Sequence, residues 1–311
     1  MRAVTVSDYG GAAALTDMPD PQPGPGEVLI KIQAAGMNPM DRNLANGAMK
    51  ATMPASFPFI LGSDLAGTVE AVGEGAAKFK SGDEVFGHLL IAPLGSAGTY
   101  AEYVAVTEDA PLTRIPEGLD PTIAAALPTA GATALEIVES LEPLTGKTML
   151  VVGAAGGVGS FATQLAANAG AHVIAVDAGA GDRLRAYGAA ETVDFTAVSV
   201  PDAVARTHPD GIDVLVDVAS DADGFAALAS LVRRGGTAVT TRFLADTEAL
   251  ASRGVAGVNY RLEMSTRLLE RLADAVVAGS IIEPPVLLIE LDDVPALSGN
   301  APANGKTVIT P

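Results

Sequence analysis

Residues 150–170 read LVVGAAGGVGSFATQLAANAG. An all-apolar strand ends at Val152, a glycine-rich turn spans Gly153 to Gly159, and a helical stretch opens directly after it. Strand, tight turn and helix in that order are the first half of a dinucleotide-binding βαβ unit. Gly156 permits close approach of a pyrophosphate to the backbone, and Gly159 lets the helix pack on the strand. The helix N-terminus offers its N–H groups to the anion. The fingerprint runs Ala154-x-Gly156-x-x-Gly159, with the first glycine displaced to Gly153. Ala154, Ala155, Gly156, Gly157, Val158 and Gly159 are therefore the expected cradle.

The pattern continues on both sides of that turn. Asp177 closes AHVIAVD at the next strand end, where a carboxylate accepts hydrogen bonds from an adenosine ribose diol. A carboxylate there repels a 2′-phosphate and leans the expectation to NADH. Arg183 and Arg185, just downstream, lean it back, and a cap or turn role for Asp177 stays open. ETVDF, IDVLVDVA and GGTAVTT are further strands, alternating with helices around VPDAVARTH and GFAALASLV. Val218, Ala219 and Ser220 end one of them and are expected to pass the cofactor through backbone. Near-continuous apolar strands between amphipathic helices mean a parallel sheet covered on both faces.

The first third reads differently. VLIKI, TVEAVG, DEVFG and TYAEYVAV are short strands separated by PDPQPGPGE, GEGAAKFKSGD and APLGSAG, with proline confined to the connections. A barrel or sandwich-like domain is expected there. After an Ala-rich helical segment broken at Pro128 and the parallel sheet, the tail returns to a helix, STRLLERLADAVVAG, and two strands, PVLLIE and KTVIT. The fold class is α/β, a Rossmann doubly wound sheet plus a β-rich domain.

Composition narrows the function. The chain has 311 residues, 49% of them hydrophobic, and a net charge of −18. So acidic a surface disfavours nucleic acid and anionic membranes as partners. With no Cys and three His, disulfides, thiolate metal sites and a Cys nucleophile are excluded, and a His-rich metal site is not expected. The start, MRAVTVSDYG, has no apolar signal region, and no stretch offers the ~18 apolar residues of a membrane span. A cytoplasmic protein is expected.

AAGMNPMD, FPFILGSDLAGTVEAVGEG, GDEVFG, GTYAEYVAV, LPTAGATA, VVGAAGGVGSFATQLA and GKTVIT stand in the order of the medium-chain dehydrogenase/reductase superfamily. The chain resembles its zinc-free quinone oxidoreductase branch. The resemblance implies a GroES-like catalytic domain, residues 1–118 and 259–311, and a Rossmann domain, residues 119–258, with the cofactor in the cleft between them. It implies an NAD(P)H-dependent reductase acting on a quinone or an α,β-unsaturated carbonyl compound. It also implies a homodimer formed through an edge strand near GGTAVTTRF.

In the zinc-dependent relatives a Cys, a His and a second Cys hold catalytic zinc. By this resemblance Asn38, Ser63 and Thr129 stand in those places, and none is a thiolate or imidazole. No metal is therefore expected, and substrates that accept hydride without a Lewis acid fit best. Asn38, beside the nicotinamide in related reductases, is the leading catalytic candidate, with a turn-capping role as the alternative. Thr129 is expected at the nicotinamide ribose or amide, or bonded to its own backbone. Asp41 reads as a helix cap or a catalyst, and Ser63 and Asp64 as linings of the former metal region or partners of buried backbone. His88 faces the substrate or is satisfied in the core, while His172 and His208 look structural. Enoyl-thioester reductases carry a tyrosine proton donor where this chain has Met49. Enoyl-thioester reduction and nucleotide binding with little catalysis stand as the alternatives.

Overall fold

The computed structural model describes residues 1–297 and 305–311, and the chain separates into two units, Met1–Ala132 with Met264–Pro311 and Thr133–Glu263. In the first unit Arg2–Val6 (β1) pairs antiparallel with Ala14–Asp17 (β2). Glu27–Gly36 (β3) follows, its Val28, Ile30 and Ile32 buried while Lys31 and Gln33 are exposed. That period of two is what a strand with one covered face requires. Next come Pro39–Ala45 (α1), Phe59–Ile60 (β4), Asp64–Val72 (β5), Glu84–His88 (β6), Tyr103–Thr107 (β7) and Leu112–Arg114 (β8). β3 pairs with β5 along its length and with β7 on its other edge, and a core of Val28, Ile30, Leu65, Val69, Val85 and Leu112 is sealed between these strands.

The run TYAEYVAV does not form one strand. Tyr103–Thr107 pairs with β3, whereas Ala101 bridges Ala3 in β1, and the Val4 N–H donates to the Tyr100 carbonyl at 2.8 Å. The chain changes sheets inside a single strand-like run. Helix Pro121–Ala126 (α2) is capped by Asp120, whose carboxylate accepts from the Thr122 N–H at 2.8 Å. Pro128 lacks an N–H, so the helical segment breaks there and restarts as Pro128–Ser140 (α3).

The second unit is a parallel sheet. Its elements are Thr148–Val152 (β9), Gly157–Asn168 (α4), His172–Asp177 (β10), Gly181–Ala186 (α5), Glu191–Asp194 (β11), Val200–Thr207 (α6), Ile212–Asp217 (β12), Ala222–Ala229 (α7), Val232–Thr240 (β13), Thr247–Ser252 (α8) and Ala256–Asn259 (β14). The strand order is β11-β10-β9-β12-β13-β14, every pair parallel, which is the doubly wound order. β9, β10 and β12 are buried almost end to end. One expectation is corrected: GGTAVTTRF lies in and just beyond β13, which is paired on both sides, and the edge of the sheet is β14.

The tail rejoins the first unit. Thr266–Val277 (α9) buries Leu268, Leu269, Leu272, Ala273 and Val276 along one stripe. Val286–Glu290 (β15) pairs parallel with Lys306–Thr310 (β16), and β16 pairs antiparallel with the end of β3, Val308 opposite Gly36. Among the described residues no helix is long and apolar enough to cross a membrane.

Close approach of α2 to β3 depends on Gly36, where an added Cβ would lie 2.2 Å from the Ala125 carbonyl oxygen. Backbone cannot yield there as a flexible side chain would. The Gly36→Ala variant is expected to lose about 1–3 kcal/mol of stability by overpacking, read as a lower urea midpoint with an unchanged m-value.

Candidate active site

In the second unit the glycine-rich turn sits between two carboxylates. β9 lies between β10 and β12, so the turn that follows it is flanked by Asp177 and Asp217, the last residues of its neighbours. The Ala155 N–H donates to Asp177 Oδ2 at 3.0 Å, and the Ala178 N–H to Asp177 Oδ1 at 2.7 Å. Asp217 Oδ1 accepts from the N–H groups of Ala219 and Ser220 at 3.0 and 2.9 Å. Gly153 has φ +80, and a Cβ on it would lie 2.8 Å from the Ala219 methyl. A Cβ at Gly159 would lie 2.1 Å from the Gly153 carbonyl oxygen, so helix and turn meet only because that position is glycine.

These features fit a dinucleotide. Ala154 and Ala155 are buried, whereas Gly156, Gly157 and Val158 are partly exposed. The nearest atom to a Cβ on Gly156 is the Gly153 carbonyl oxygen at 3.3 Å, which leaves the outer face of the turn open. No side chain caps α4, so its first-turn N–H groups remain available to an anion. Arg183 lies within α5, and Ala219 and Ser220 form the turn after β12.

In the first unit the structure brings Asn38, Ser63, Asp64, His88 and Thr129 into one buried network, together with Asp41, Tyr100 and Lys306. Asp64, fully buried, is its hub. Asp64 Oδ1 accepts from the Thr129 hydroxyl at 2.7 Å and faces His88 Nδ1 at 2.8 Å. Asp64 Oδ2 accepts from Asn38 Nδ2 at 2.8 Å and the Thr129 N–H at 3.0 Å. The other Asn38 amide hydrogen goes to the Gly36 carbonyl at 3.2 Å, and Asn38 Oδ1 accepts from Lys306 Nζ at 2.6 Å. Lys306 also donates to the Met37 carbonyl at 2.9 Å.

Asn38 is the N-cap of α1, and Asp41 is the third residue of its first turn, whose carboxylate caps the helix start from inside as in a capping box. The Asp41 carboxylate accepts from the Asn38 N–H at 2.8 Å, the Ser63 hydroxyl at 2.7 Å and the Tyr100 hydroxyl at 2.7 Å. It therefore fixes the turn that aims Asn38. No expectation from the sequence falls on Lys306 or Tyr100. A single lysine opening the otherwise buried run KTVIT was the available signal for the first.

The electrostatics follow from burial. Desolvation pushes the Asp41 carboxyl up to about 6, the Ser63 bond opposing and the Asp64 charge assisting. Desolvation also pushes Asp64 up, but the His88 bond and charge, the Lys306 charge and the Thr129 hydroxyl outweigh it and hold Asp64 below its ordinary value. An ionised Asp64 only accepts, so His88 carries a proton on Nδ1. Burial lowers Lys306, against the pull of Asp64 and Asp41. Burial and the Asp41 charge push the Tyr100 hydroxyl well up.

Other candidates have different partners. Met49 packs against the first unit's core, Tyr9 stacks edge-on with Phe57, and the Tyr260 hydroxyl donates to Glu136. His172 and His208 both meet Glu191 in the second unit.

Two family models match the chain, an alcohol dehydrogenase GroES-like domain over residues 24–117 and a zinc-binding dehydrogenase over residues 157–276. A chloroplastic quinone oxidoreductase of Triphysaria versicolor is 36% identical over 71% of this chain and 68% of its own length. A 2-methylene-furan-3-one reductase of Solanum lycopersicum is 33% identical over 100% of this chain and 79% of its own length. Among solved structures, the quinone oxidoreductase from Coxiella burnetii superposes with a TM-score of 0.87 at 26% identity, covering 100% of this chain and 99% of that one.

The Asp41 shift has a readable consequence. Its folded value of about 6 exceeds the ordinary 3.8, so its contribution to stability is present below about pH 4 and is lost as pH rises through 6. The shift corresponds to on the order of 3 kcal/mol. The Asp41→Asn variant keeps an acceptor for Tyr100 and the Asn38 N–H, and the Ser63 hydroxyl can turn to accept. Urea unfolding between about pH 4 and 7 is expected to show this falling component in the parent chain and not in the variant.

Proposed function

The chain belongs to the medium-chain dehydrogenase/reductase superfamily, in its quinone oxidoreductase branch, and on that premise we propose a metal-independent reductase that passes hydride from NAD(P)H to a quinone or an α,β-unsaturated carbonyl compound. One observation carries the metal-independent part. By the resemblance Asn38, Ser63 and Thr129 stand where the zinc enzymes have Cys, His and Cys, and in the structure each is tied to the carboxylate of Asp41 or Asp64. An amide and two hydroxyls do not fit zinc, so no step is routed through a metal.

A bound nicotinamide supplies the hydride. The turn from Gly153 to Gly159 and the N-terminus of α4 hold the pyrophosphate, and Asp177 faces the adenosine ribose. With one Asp177 oxygen 3.0 Å from the Ala155 N–H, a 2′-phosphate would meet a carboxylate at the rim of its own cradle. That favours NADH, with Arg183 as the opposing influence.

Asn38 and Thr129 are the proposed contacts at the reacting end. Their donors are held by Asp64, each of whose oxygens faces two partners. A carbonyl oxygen can take one of these donors and leave Asp64 with its remaining bonds, so the exchange strands no buried charge. The oxyanion that develops on hydride addition is delocalised, and hydrogen bonds suffice to stabilise it. Met49 cannot deliver a proton, which disfavours enoyl-thioester reduction by the tyrosine route. Self-association, expected from the resemblance, would use the β14 edge, where Val258 is exposed.

The test is oxidation of NADH and NADPH, followed by absorbance, against a panel of quinones and enones. Turnover with both acceptor classes, unchanged by a chelator, is expected; no turnover with any acceptor sinks the reading. The Asn38→Ala variant should lose on the order of tenfold to a hundredfold in kcat/KM while cofactor affinity, read by nicotinamide fluorescence, is kept. Asp177→Asn removes the charge but keeps an acceptor for Ala155, and should move the NADPH/NADH preference toward NADPH by on the order of tenfold.

A further inference from the structure

The chain contains three histidines, and two of them meet on one carboxylate far along the sheet from the nucleotide turn. His172 is the first residue of β10, Glu191 the first of β11, and His208 the residue that closes α6. His172 Nε2 lies 2.7 Å and His208 Nε2 2.9 Å from the same oxygen, Glu191 Oε1. The imidazole centroids are 5.7 Å apart with planes inclined at 58°. Burial pushes the Glu191 carboxyl up, but the bonds from His172 and His208 hold it below its ordinary value.

We propose that His172, Glu191 and His208 form a binding site for a zinc-like divalent transition metal, tying together the starts of β10 and β11 and the end of α6. The three ligand atoms lie within 4.8 Å of one another. Around a tetrahedral zinc such atoms stand about 3.3 Å apart, so each N···O gap has to open by about half an ångström while the two nitrogens draw together. The side chains can make that adjustment, being 43%, 32% and 18% exposed for His172, Glu191 and His208. Two imidazoles and one carboxylate are a borderline donor set that suits Zn²⁺, Ni²⁺ or Cu²⁺ and is poor for Ca²⁺ or Mg²⁺.

Two features argue for a metal over a simple hydrogen-bonded trio. Both Nε2 atoms converge on a single oxygen instead of dividing between the two, which marks one point that all three groups face. Partial exposure leaves entry and room for water in the remaining coordination position. Lys147, whose carbonyl accepts from the His172 N–H, turns its ammonium away to the Leu141 carbonyl at 3.4 Å. The net charge of −18 raises the local concentration of cations. β10 begins with His172 and ends with Asp177, so the metal would sit at the opposite end of the sheet from the cradle. It would act as a structural clamp, independent of hydride transfer.

Calorimetric titration of the full chain, first stripped with a chelator, with Zn²⁺ alone tests this. One Zn²⁺ per chain is expected, with affinity reduced on the order of tenfold or more in Glu191→Gln and in the His172→Ala/His208→Ala double variant. Saturating zinc should raise the Tm of the parent by on the order of 5 °C and leave the double variant unmoved. Replacement by Co²⁺ should give the visible absorption of a nitrogen-ligated tetrahedral ion. Equal zinc binding by the parent and the double variant overturns the proposal. So does equal binding of Ca²⁺, which would assign the heat to surface carboxylates, and so does the absence of binding.

Discussion

A carboxylate withdrawn completely from water is stable as an anion only if the protein supplies donors in place of the solvent. Asp64 meets that condition with the amide of Asn38, the hydroxyl and backbone N–H of Thr129, and His88. Those donors come from the turn before α1, the end of β6 and the start of α3. Lys306, at the start of β16, adds the opposite charge through Asn38. The first unit's local architecture thus converges on one anion. Strand pairing of β3 with β5 and β16 is what brings the donors into range.

The same constraint explains why the second carboxylate behaves differently. Asp41 has three donors but no cation of its own, because Lys306 points at Asn38 and the Met37 carbonyl. Two buried carboxylates sharing one lysine leave a surplus negative charge, and the group with the weaker compensation takes up the proton. Asp41 therefore titrates near neutrality while Asp64 stays ionised. This division also preserves the orientation of Asn38. Its amide is read from both ends, Lys306 on the oxygen and Asp64 on the nitrogen, so neither a flipped amide nor a substituted ammonium satisfies the site.

Much of this was legible in the sequence, and the boundary is physical. The parallel sheet, its glycine-rich turn and the break at Pro128 are written in local patterns, where periodicity and backbone freedom act over a few residues. Asp177 could be singled out because it closes a strand beside the glycine-rich turn, whereas Asn38 and Thr129 were expected at the reacting end only through the family resemblance. What stayed hidden are polar partners set by long-range pairing. Lys306 reaches Asn38 across 268 positions, and only the return of β16 onto β3 brings it there. TYAEYVAV gave no sign of dividing between two sheets, since no glycine or proline interrupts the run. GGTAVTTRF read as an edge because the four-residue β14 that covers it is too short to leave a period.

The proposed role of the glycine-rich turn raises the question of how an acidic chain receives an anion. The strands on either side of β9 each end in an aspartate, and both aspartates are tied to backbone N–H groups. Asp177 accepts from Ala155 inside the turn, and Asp217 accepts from Ala219 and Ser220 in the turn after β12. Asp177 gives both of its oxygens, and Asp217 its Oδ1, to backbone N–H groups beside the turn, which holds the two loops in place. That leaves the uncapped first turn of α4 as the donor surface, where the helix dipole adds to the exposed N–H groups. On the proposed function, affinity for a pyrophosphate rests on backbone geometry: a Cβ at Gly153 would crowd the Ala219 methyl, and one at Gly159 the Gly153 carbonyl oxygen.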